Sequence, residues 1–173
     1  MFFTADTHFS HSNIIKYCNR PFSSALEMDE TMIANWNSKV GKDDVVYHLG
    51  DFAFSLIHKH VERLNGKIIL IFGNHDKLAR HNSNLFHSVH DYLEIKHKDT
   101  LITLCHYAFK IWNKSHFNSW NLFGHSHGRV KGVGKQMDVG VDTNNFFPYH
   151  ISEIETIMNS LPNNSNFIER GSR

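Results

Sequence analysis

Five apolar segments of this 173-residue chain each run directly into a short polar cluster. The clearest segment is Lys67–Phe72, whose unbroken apolar run predicts a buried strand, and it ends in Gly73-Asn74-His75-Asp76. The other clusters are Asp6-x-His8, Gly50-Asp51, His106 after the segment that ends at Cys105, and Gly124-His125-Ser126-His127. Because ligands of α/β proteins bind beyond the carboxyl ends of strands, we expect the five clusters to meet in one site.

The rest of the chain predicts an α/β protein with one closing helix. Strands are expected at 1–5, 44–49, 67–72, 88–97, 100–105, 120–123 and 136–141, and helices at 13–18, 25–38, 55–64 and 151–161. A tight hairpin is predicted at Lys98-Asp99, and Ser152 with Glu155 is expected to cap the last helix. The order β-α-β-α-β, followed mostly by strands, indicates a sandwich of two sheets.

Composition excludes several functional classes. Eighteen Lys and Arg against 17 Asp and Glu leave a net charge of +1, which argues against a general nucleic-acid-binding surface. No apolar run reaches the roughly 20 residues of a membrane span, and no secretion signal is present, so we expect a cytoplasmic protein of a bacterium or a phage-infected cell. Cys18 and Cys105 do not have the spacing of a metal-binding pair.

The polar clusters carry the residue types that hold metals. In an extended chain, Asp6 and His8 share a face and can chelate one ion. His125 and His127 can do the same, although a loop can also direct them to two ions. Asp51 can bridge two cations, since each carboxylate oxygen has free lone pairs. Any one cluster alone is more often a turn or a helix cap; the ordered set of five favours a metal site.

The ordered set resembles the calcineurin-like metallophosphoesterase superfamily. That family's D-x-H, G-D, G-N-H-D, H and G-H-x-H motifs match Asp6/His8, Gly50/Asp51, Gly73–Asp76, His106 and Gly124–His127. The resemblance runs from Phe2 to about His127. The stretch from His11 to Phe22 is similar to compact bacterial and phage members.

The resemblance implies a four-layer α/β/β/α sandwich of two mixed sheets flanked by helices, with the site at one edge. We expect this single domain to span residues 1–162, with a polar, flexible tail at 163–173. The family pattern assigns two divalent metal ions as follows: Asp6, His8 and His127 on one, Asn74, His106 and His125 on the other, and Asp51 between them.

The expected activity is hydrolysis of a phosphate ester by water that the two cations activate. His75 is the candidate to protonate the leaving oxygen. Asp76 is expected either to orient His75 or to cap the following helix. Arg20 is a candidate to bind the substrate phosphate, or else to form a salt bridge, while His11 and Asn13 are candidates to support the site or contact the substrate.

The ligands are nitrogen and oxygen only, which suits Mn²⁺, Fe, Zn²⁺ or Ni²⁺, and the resemblance favours Mn²⁺ among them. Gly50-Asp51-Phe52-Ala53-Phe54 lacks the G-D-x-x-D-R-G pattern that protein Ser/Thr phosphatases of this fold typically carry. We therefore expect a phosphodiesterase for a small or nucleotide-like substrate, with single-stranded nucleic acid also open. The alternatives are a phosphomonoesterase and a non-catalytic metal-binding scaffold. Aromatic residues near the clusters are candidates either to stack a nucleobase or to belong to the core: Phe52, Phe54, Tyr107, Phe109 and Trp112.

Overall fold

The computed structural model describes residues 1–169, and two β-sheets lie at its centre. The strands are β1 (Phe2–Thr4), β2 (Val45–His48), β3 (Lys67–Ile71), β4 (Ser88–His90), β5 (Leu93–His97), β6 (Thr100–Leu104), β7 (Trp120–Phe123), β8 (Gln136–Asp138) and β9 (Tyr149–His150). The α-helices are α1 (Ser12–Tyr17), α2 (Ala25–Lys39), α3 (Ile57–Arg63), α4 (Lys77–His81) and α5 (Ile151–Ser160).

Both sheets are mixed. The first has the order β4-β3-β2-β1-β9, in which β9 is antiparallel to β1 and the other pairs are parallel. The second has the order β5-β6-β7-β8, in which only β5 and β6 are antiparallel. Their hairpin turns at Lys98, which has a φ of 53°, so the predicted hairpin is confirmed.

Two apolar clusters hold the layers together. One lies between the first sheet and helices α1 to α4; the other joins the inner faces of the two sheets and includes α5. The longest helix, α2, illustrates the pattern: Met28, Met32 and Trp36 lie four residues apart and are buried on one face. Its first turn is capped by Ser24, whose side chain accepts a hydrogen bond from Glu27 N. The predicted α/β sandwich of two mixed sheets flanked by helices is confirmed.

Three local predictions are wrong. The single strand predicted at 88–97 is two strands in different sheets, because β4 pairs with β3 and β5 pairs with β6. The strand predicted at 136–141 ends at Asp138, whose carboxylate accepts a hydrogen bond from Gly140 N and turns the chain. The last helix is capped by His150 and Glu153 instead of Ser152 and Glu155, since it follows β9 without a loop.

The predicted tail begins within the described residues. Asn164 is buried, and its side-chain amide donates hydrogen bonds to Ser115 O and Ser119 O. The last four positions of the tail, 170–173, lie outside the described part of the chain. Within residues 1–169, no helix has the length and apolarity that crossing a membrane requires.

Candidate metal centre

The strand ends that carry the polar clusters meet at one edge of the two sheets. The loops after β1 and β2 run side by side, since Asp6 N donates to Gly50 O and His8 N donates to Asp51 O, both at 2.9 Å. The second sheet joins the same edge because His125 N donates to the Asp6 carboxylate at 2.8 Å. The expectation that the clusters form one site is therefore met by the geometry.

Two of the groups of potential metal ligands at this edge consist of predicted ligands. The ligand atoms of Asp6, His8 and His127 all lie within 4.8 Å of one another, and so do those of Asp51, His106 and His125. The two groups are neighbours: Asp51 Oδ2 lies 3.6 Å from His8 Nε2 and 3.5 Å from His106 Nε2. Asn74 Oδ1 lies 3.1 Å from His106 Nε2. All seven predicted ligands are thus brought together, with Asp51 between the groups.

The first group fits a cation because several of its buried polar atoms have no partner. Asp6 Oδ1 and both ring nitrogens of His8 are buried without a hydrogen bond to any described residue. Burial raises the pKa of Asp6, and the carboxylates of Asp138 and Asp51 raise it further. Burial also lowers the pKa of His8, aided by the positive charge of Arg20. Orphaned buried polar atoms are costly unless a cation or a hydrogen bond satisfies them.

Two of the ligand histidines are oriented by acceptors on their far side. His106 Nδ1 contacts Leu49 O at 2.7 Å, and His127 Nδ1 contacts Asp142 Oδ2 at 2.7 Å. In each ring Nδ1 is therefore the donor, which leaves Nε2 as the free acceptor. This arrangement is typical of metal-binding histidines, whose second ring nitrogen donates to a carboxylate or backbone carbonyl.

Five predicted ligands occupy the left-handed region of backbone space: Asp6, His8, Asp51, His125 and His127, with φ between 49° and 65°. The expectation that Asp6 and His8 share a face through extended chain is therefore wrong. Tight turns after the strand ends bring their side chains together instead. Gly50, with a φ of 94°, turns the chain before Asp51; a Cβ there would lie 2.5 Å from His106 Nδ1.

Arg20 does not line the pocket formed by His8, His75 and His127. Its side chain is fully buried, and its Nε and Nη2 each donate to Asp142 at 2.8 Å. It also donates to Thr7 O and Asp6 O behind the first ligand group. The phosphate-binding interpretation is wrong, and the salt-bridge alternative is correct, because the bidentate pair with Asp142 satisfies the guanidinium. Through Asp142, this pair also holds His127.

Asp76 neither orients His75 nor caps α4 with its side chain. Its carboxylate accepts hydrogen bonds from the backbone N–H groups of Asp51, Phe52 and Gly73, at 2.7 to 2.8 Å. The side chain of Asp76 makes no capping bond to the helix. Its role is to tie together the two loops that carry Asp51 and Asn74, because all three N–H groups point at it.

His75 lies at the open side of the site. Its ring is exposed, 5.9 Å from the His8 ring, and its backbone N donates to Asp51 Oδ1 at 2.9 Å. His11 lines the same pocket and stacks on Phe54, with ring centroids 3.7 Å apart. Asn13 is exposed on α1 and does not line that pocket.

Two supporting aspartates were missed from the sequence. Asp142 holds His127, and Asp138 Oδ2 accepts hydrogen bonds from Ser126 Oγ and Gly128 N in the loop that carries the paired histidines. Asp138 is the last residue of β8, and Asp142 follows the apolar Val139-Gly140-Val141, so the pattern of polar residues at strand ends could have indicated them.

The fold and the site define an α/β protein of two mixed sheets with two adjoining groups of potential metal ligands at one edge. No family model matches the chain. It is 34% identical over 166 residues to the uncharacterized protein MJ1445 of Methanocaldococcus jannaschii, covering 89% of this chain and 88% of that protein. The chain belongs to the same family as that archaeal protein.

One solved structure agrees closely with the fold. A protein of unknown function, AQ665 from Aquifex aeolicus, matches with a TM-score of 0.76 and 27% identity over 91% of this chain and 98% of its own. A Streptococcus pneumoniae protein described as a predicted phosphoesterase matches with a TM-score of 0.41 and 18% identity, over 80% of this chain and 69% of its own. The second likeness is too remote to carry an argument about this chain.

Proposed function

We propose that the protein is a binuclear metal-dependent phosphoesterase, and that its preferred substrate is a small or nucleotide-like phosphodiester. The observation that carries this proposal is the meeting of the two ligand groups around one oxygen of Asp51, beside buried ligand atoms that lack partners. Asp6, His8 and His127 would hold one cation, Asn74, His106 and His125 the other, and Asp51 both. The ligand atoms are nitrogen and oxygen, and Mn²⁺ is the proposed metal.

Two bound cations would supply the positive charge that stabilises a phosphoryl group and lowers the pKa of a nearby water. The remaining chemistry belongs to the chain. We assign to His75 the donation of a proton to the leaving oxygen; this is supported by its ring, which lies beside that of His8, and by its backbone N, which donates to Asp51. Cys105 takes no part as a nucleophile: burial raises the pKa of its thiol, so the reactive thiolate is disfavoured.

A hollow beside His75, together with an exposed aromatic ring on the other side of the site, favours a diester over a monoester. It has a volume of about 340 Å³ and is lined by Ala53, Phe54, Leu78 and the side chains of Lys77 and His81. Phe54 is 39% exposed there, and Tyr107, 44% exposed, lies on the other side against His125. These two rings are available to stack on a base, whereas Phe52 and Trp112 are buried in the core. The hollow beside His75 would hold the leaving alcohol, and the exposed ring of Tyr107 offers a contact for the second ester group of a diester, which a monoester lacks.

The same site could hydrolyse a phosphomonoester, and a metal-binding scaffold without activity is the remaining alternative. Hydrolysis of bis-p-nitrophenyl phosphate and p-nitrophenyl phosphate distinguishes them, using protein stripped with chelator and reloaded with Mn²⁺. We expect higher kcat/KM for the diester. The reverse order would establish the monoesterase. No hydrolysis of either compound with Mn²⁺, Fe, Zn²⁺ or Ni²⁺ would leave only the scaffold.

The role of His75 has its own test. His75→Ala should bind both metals with unchanged stoichiometry, yet lose turnover, and the loss should be larger for an alkyl leaving group than for p-nitrophenol. Removing a general acid typically costs about 10²- to 10⁴-fold on a poor leaving group. His87→Ala, which removes an exposed imidazole that does not line the site, is the matched control. Full turnover of His75→Ala on an alkyl diester would rule out the assignment.

A further inference from the structure

The pocket over the two ligand groups extends beyond them to a cationic end. It encloses about 220 Å³, and its walls run from Asp51 and the ligand histidines past Cys18 and Tyr17 to Arg129. Of the described residues that line it, Arg129 is the one lysine or arginine. Arg20, which is close in sequence to this wall, is turned away and buried.

Arg129 is held in place without being neutralised. Its Nη2 donates to Tyr17 O at 2.6 Å, and its backbone N donates to Ser126 O at 2.9 Å within the turn that follows the paired histidines. The other arginines of residues 1–169 (Arg20, Arg63 and Arg80) each form an ion pair with a carboxylate. Arg129 has no such partner among these residues, and a guanidinium fixed by one backbone carbonyl keeps N–H groups free for an anion.

The charge at the site shows why this cation suits a second anionic group. The ligands of the two proposed cations include two carboxylates, Asp6 and Asp51, and the scissile diester adds one negative charge. Four positive charges on two divalent ions balance these three negative charges and that of the attacking hydroxide. A further fixed cation is therefore not needed for the phosphorus that reacts, but it matches another phosphate on the same substrate.

We propose that Arg129 binds a second, terminal phosphate of the substrate and so selects phosphorylated nucleotides or the phosphorylated end of a short oligonucleotide over neutral diesters. This inference rests on the proposed phosphoesterase function. Arg129 is assigned to specificity: it recognises a group away from the bond that breaks. Its planar fork suits two phosphate oxygens better than a lysine would.

A pair of substrates with the same scissile bond tests the proposal. Thymidine 3′-(p-nitrophenyl phosphate) and its 5′-phosphorylated derivative are compared with the Mn²⁺-loaded protein at fixed ionic strength. The wild type should prefer the 5′-phosphorylated compound by about 10- to 100-fold in kcat/KM, as expected for hydrogen bonds to a charged group. Arg129→Ala should bring that ratio close to one, and Arg129→Lys should keep part of it.

Lys131→Ala is the matched control, because it removes one positive charge from the same exposed loop at a position that does not line the pocket. It should leave both rates and the ratio at wild-type values. The proposal is overturned if Arg129→Ala keeps the wild-type ratio, if both substrates lose equally, or if Lys131→Ala loses the preference as well. Equal loss would mean that Arg129 contacts the reacting phosphate.

A binding measurement separates this inference from the proposed activity. Calorimetry with thymidine 3′,5′-bisphosphate and thymidine 3′-phosphate should show a preference for the bisphosphate in the wild type that Arg129→Ala lacks. That preference in a protein that hydrolyses neither ester would refute the phosphoesterase and retain the anion site. Equal affinities in wild type and Arg129→Ala would refute the anion site whether or not the protein hydrolyses diesters.

Discussion

Replacing Asp142 with alanine should destabilise the protein more than any exposed ion-pair substitution. The Asp142 carboxylate accepts two hydrogen bonds from Arg20, whose side chain is fully buried, and one from His127. Its pKa is low because these hydrogen bonds and the charge of Arg20 outweigh burial, which acts in the opposite direction. Asp142→Ala leaves the guanidinium buried without a counter-charge, a change that typically costs about 3 to 5 kcal/mol. Arg20 keeps its bonds to Thr7 O and Asp6 O, so we expect about 3 kcal/mol.

Urea unfolding of metal-free protein measures this effect apart from metal binding. With a slope near 2 kcal/mol per molar urea, about 3 kcal/mol lowers the midpoint by about 1.5 M. Glu30→Ala is the matched control, since it breaks the Glu30–Arg63 pair, which is also bidentate but exposed, and should leave the midpoint near wild type. Equal midpoints for the two variants would refute the reasoning. Separately, the metal affinity of Asp142→Ala should fall about 10- to 100-fold, because His127 loses its orienting acceptor.

Three further substitutions address other parts of the site. In Gly73→Ala, the new Cβ would lie 2.3 Å from Asp51 Oδ1, so metal titration should show at least about tenfold weaker binding. Gly41→Ala is the control: its new Cβ would lie 3.3 Å from Asp44 Oδ2, and metal binding should be unchanged. Asp76→Asn leaves at least one of three buried N–H groups without an acceptor. The free energy of unfolding should fall by about 1 to 3 kcal/mol, which lowers the Tm by several degrees. An unchanged Tm would contradict the role of Asp76 in holding the two loops together. Burial, and to a lesser degree the nearby His106, lowers the pKa of His48 to about 3. The folded protein therefore favours neutral His48, and this stabilisation is complete above the unfolded-state pKa near 6.5. It is lost as the pH falls from there towards 3. In that pH window, the free energy of unfolding of the wild type should fall by up to about 1.4 kcal/mol per pH unit relative to His48→Gln. Stability curves of the two proteins that run parallel with pH would exclude this role of His48.

The meeting of the candidate ligands at one edge could be predicted from sequence because the pattern that marks them is local. Each candidate ligand lies within a few residues of an apolar strand end, so the strand and the polar residue after it are enough to locate it. The supports could not be predicted in the same way. Arg20 and Asp142 are 122 positions apart in the chain, and only the fold shows that the Arg20 guanidinium pairs with the Asp142 carboxylate. Asp76 stands beside His75 in the chain, yet its carboxylate faces the loop after β2.

The dependence on long-range contacts also explains the errors in the predicted strands and in the predicted helix cap. The segment 88–97 has continuous strand character, but β4 pairs with the first sheet and β5 with the second. The chain changes sheets at Asp91-Tyr92, and local propensity does not record which neighbour a strand will find. Likewise, Tyr149 and His150 pair with β1 as the strand β9, and the last helix begins at the next residue, Ile151. The helix cap therefore lies at His150 instead of the predicted Ser152.

The left-handed backbone at five candidate ligands follows from the geometry of the edge. A strand that continued straight would send successive side chains to opposite faces and carry them away from the neighbouring strand ends. A residue with positive φ reverses the chain within one position, so its side chain stays at the edge, at a cost of about 1 to 2 kcal/mol per residue. Hydrogen bonds from Asp6 N, His8 N and His125 N to the adjoining loops hold these turns in place. Such strain persists only where surrounding contacts over-determine the backbone, and its concentration at these residues is itself an argument that the edge is the functional site.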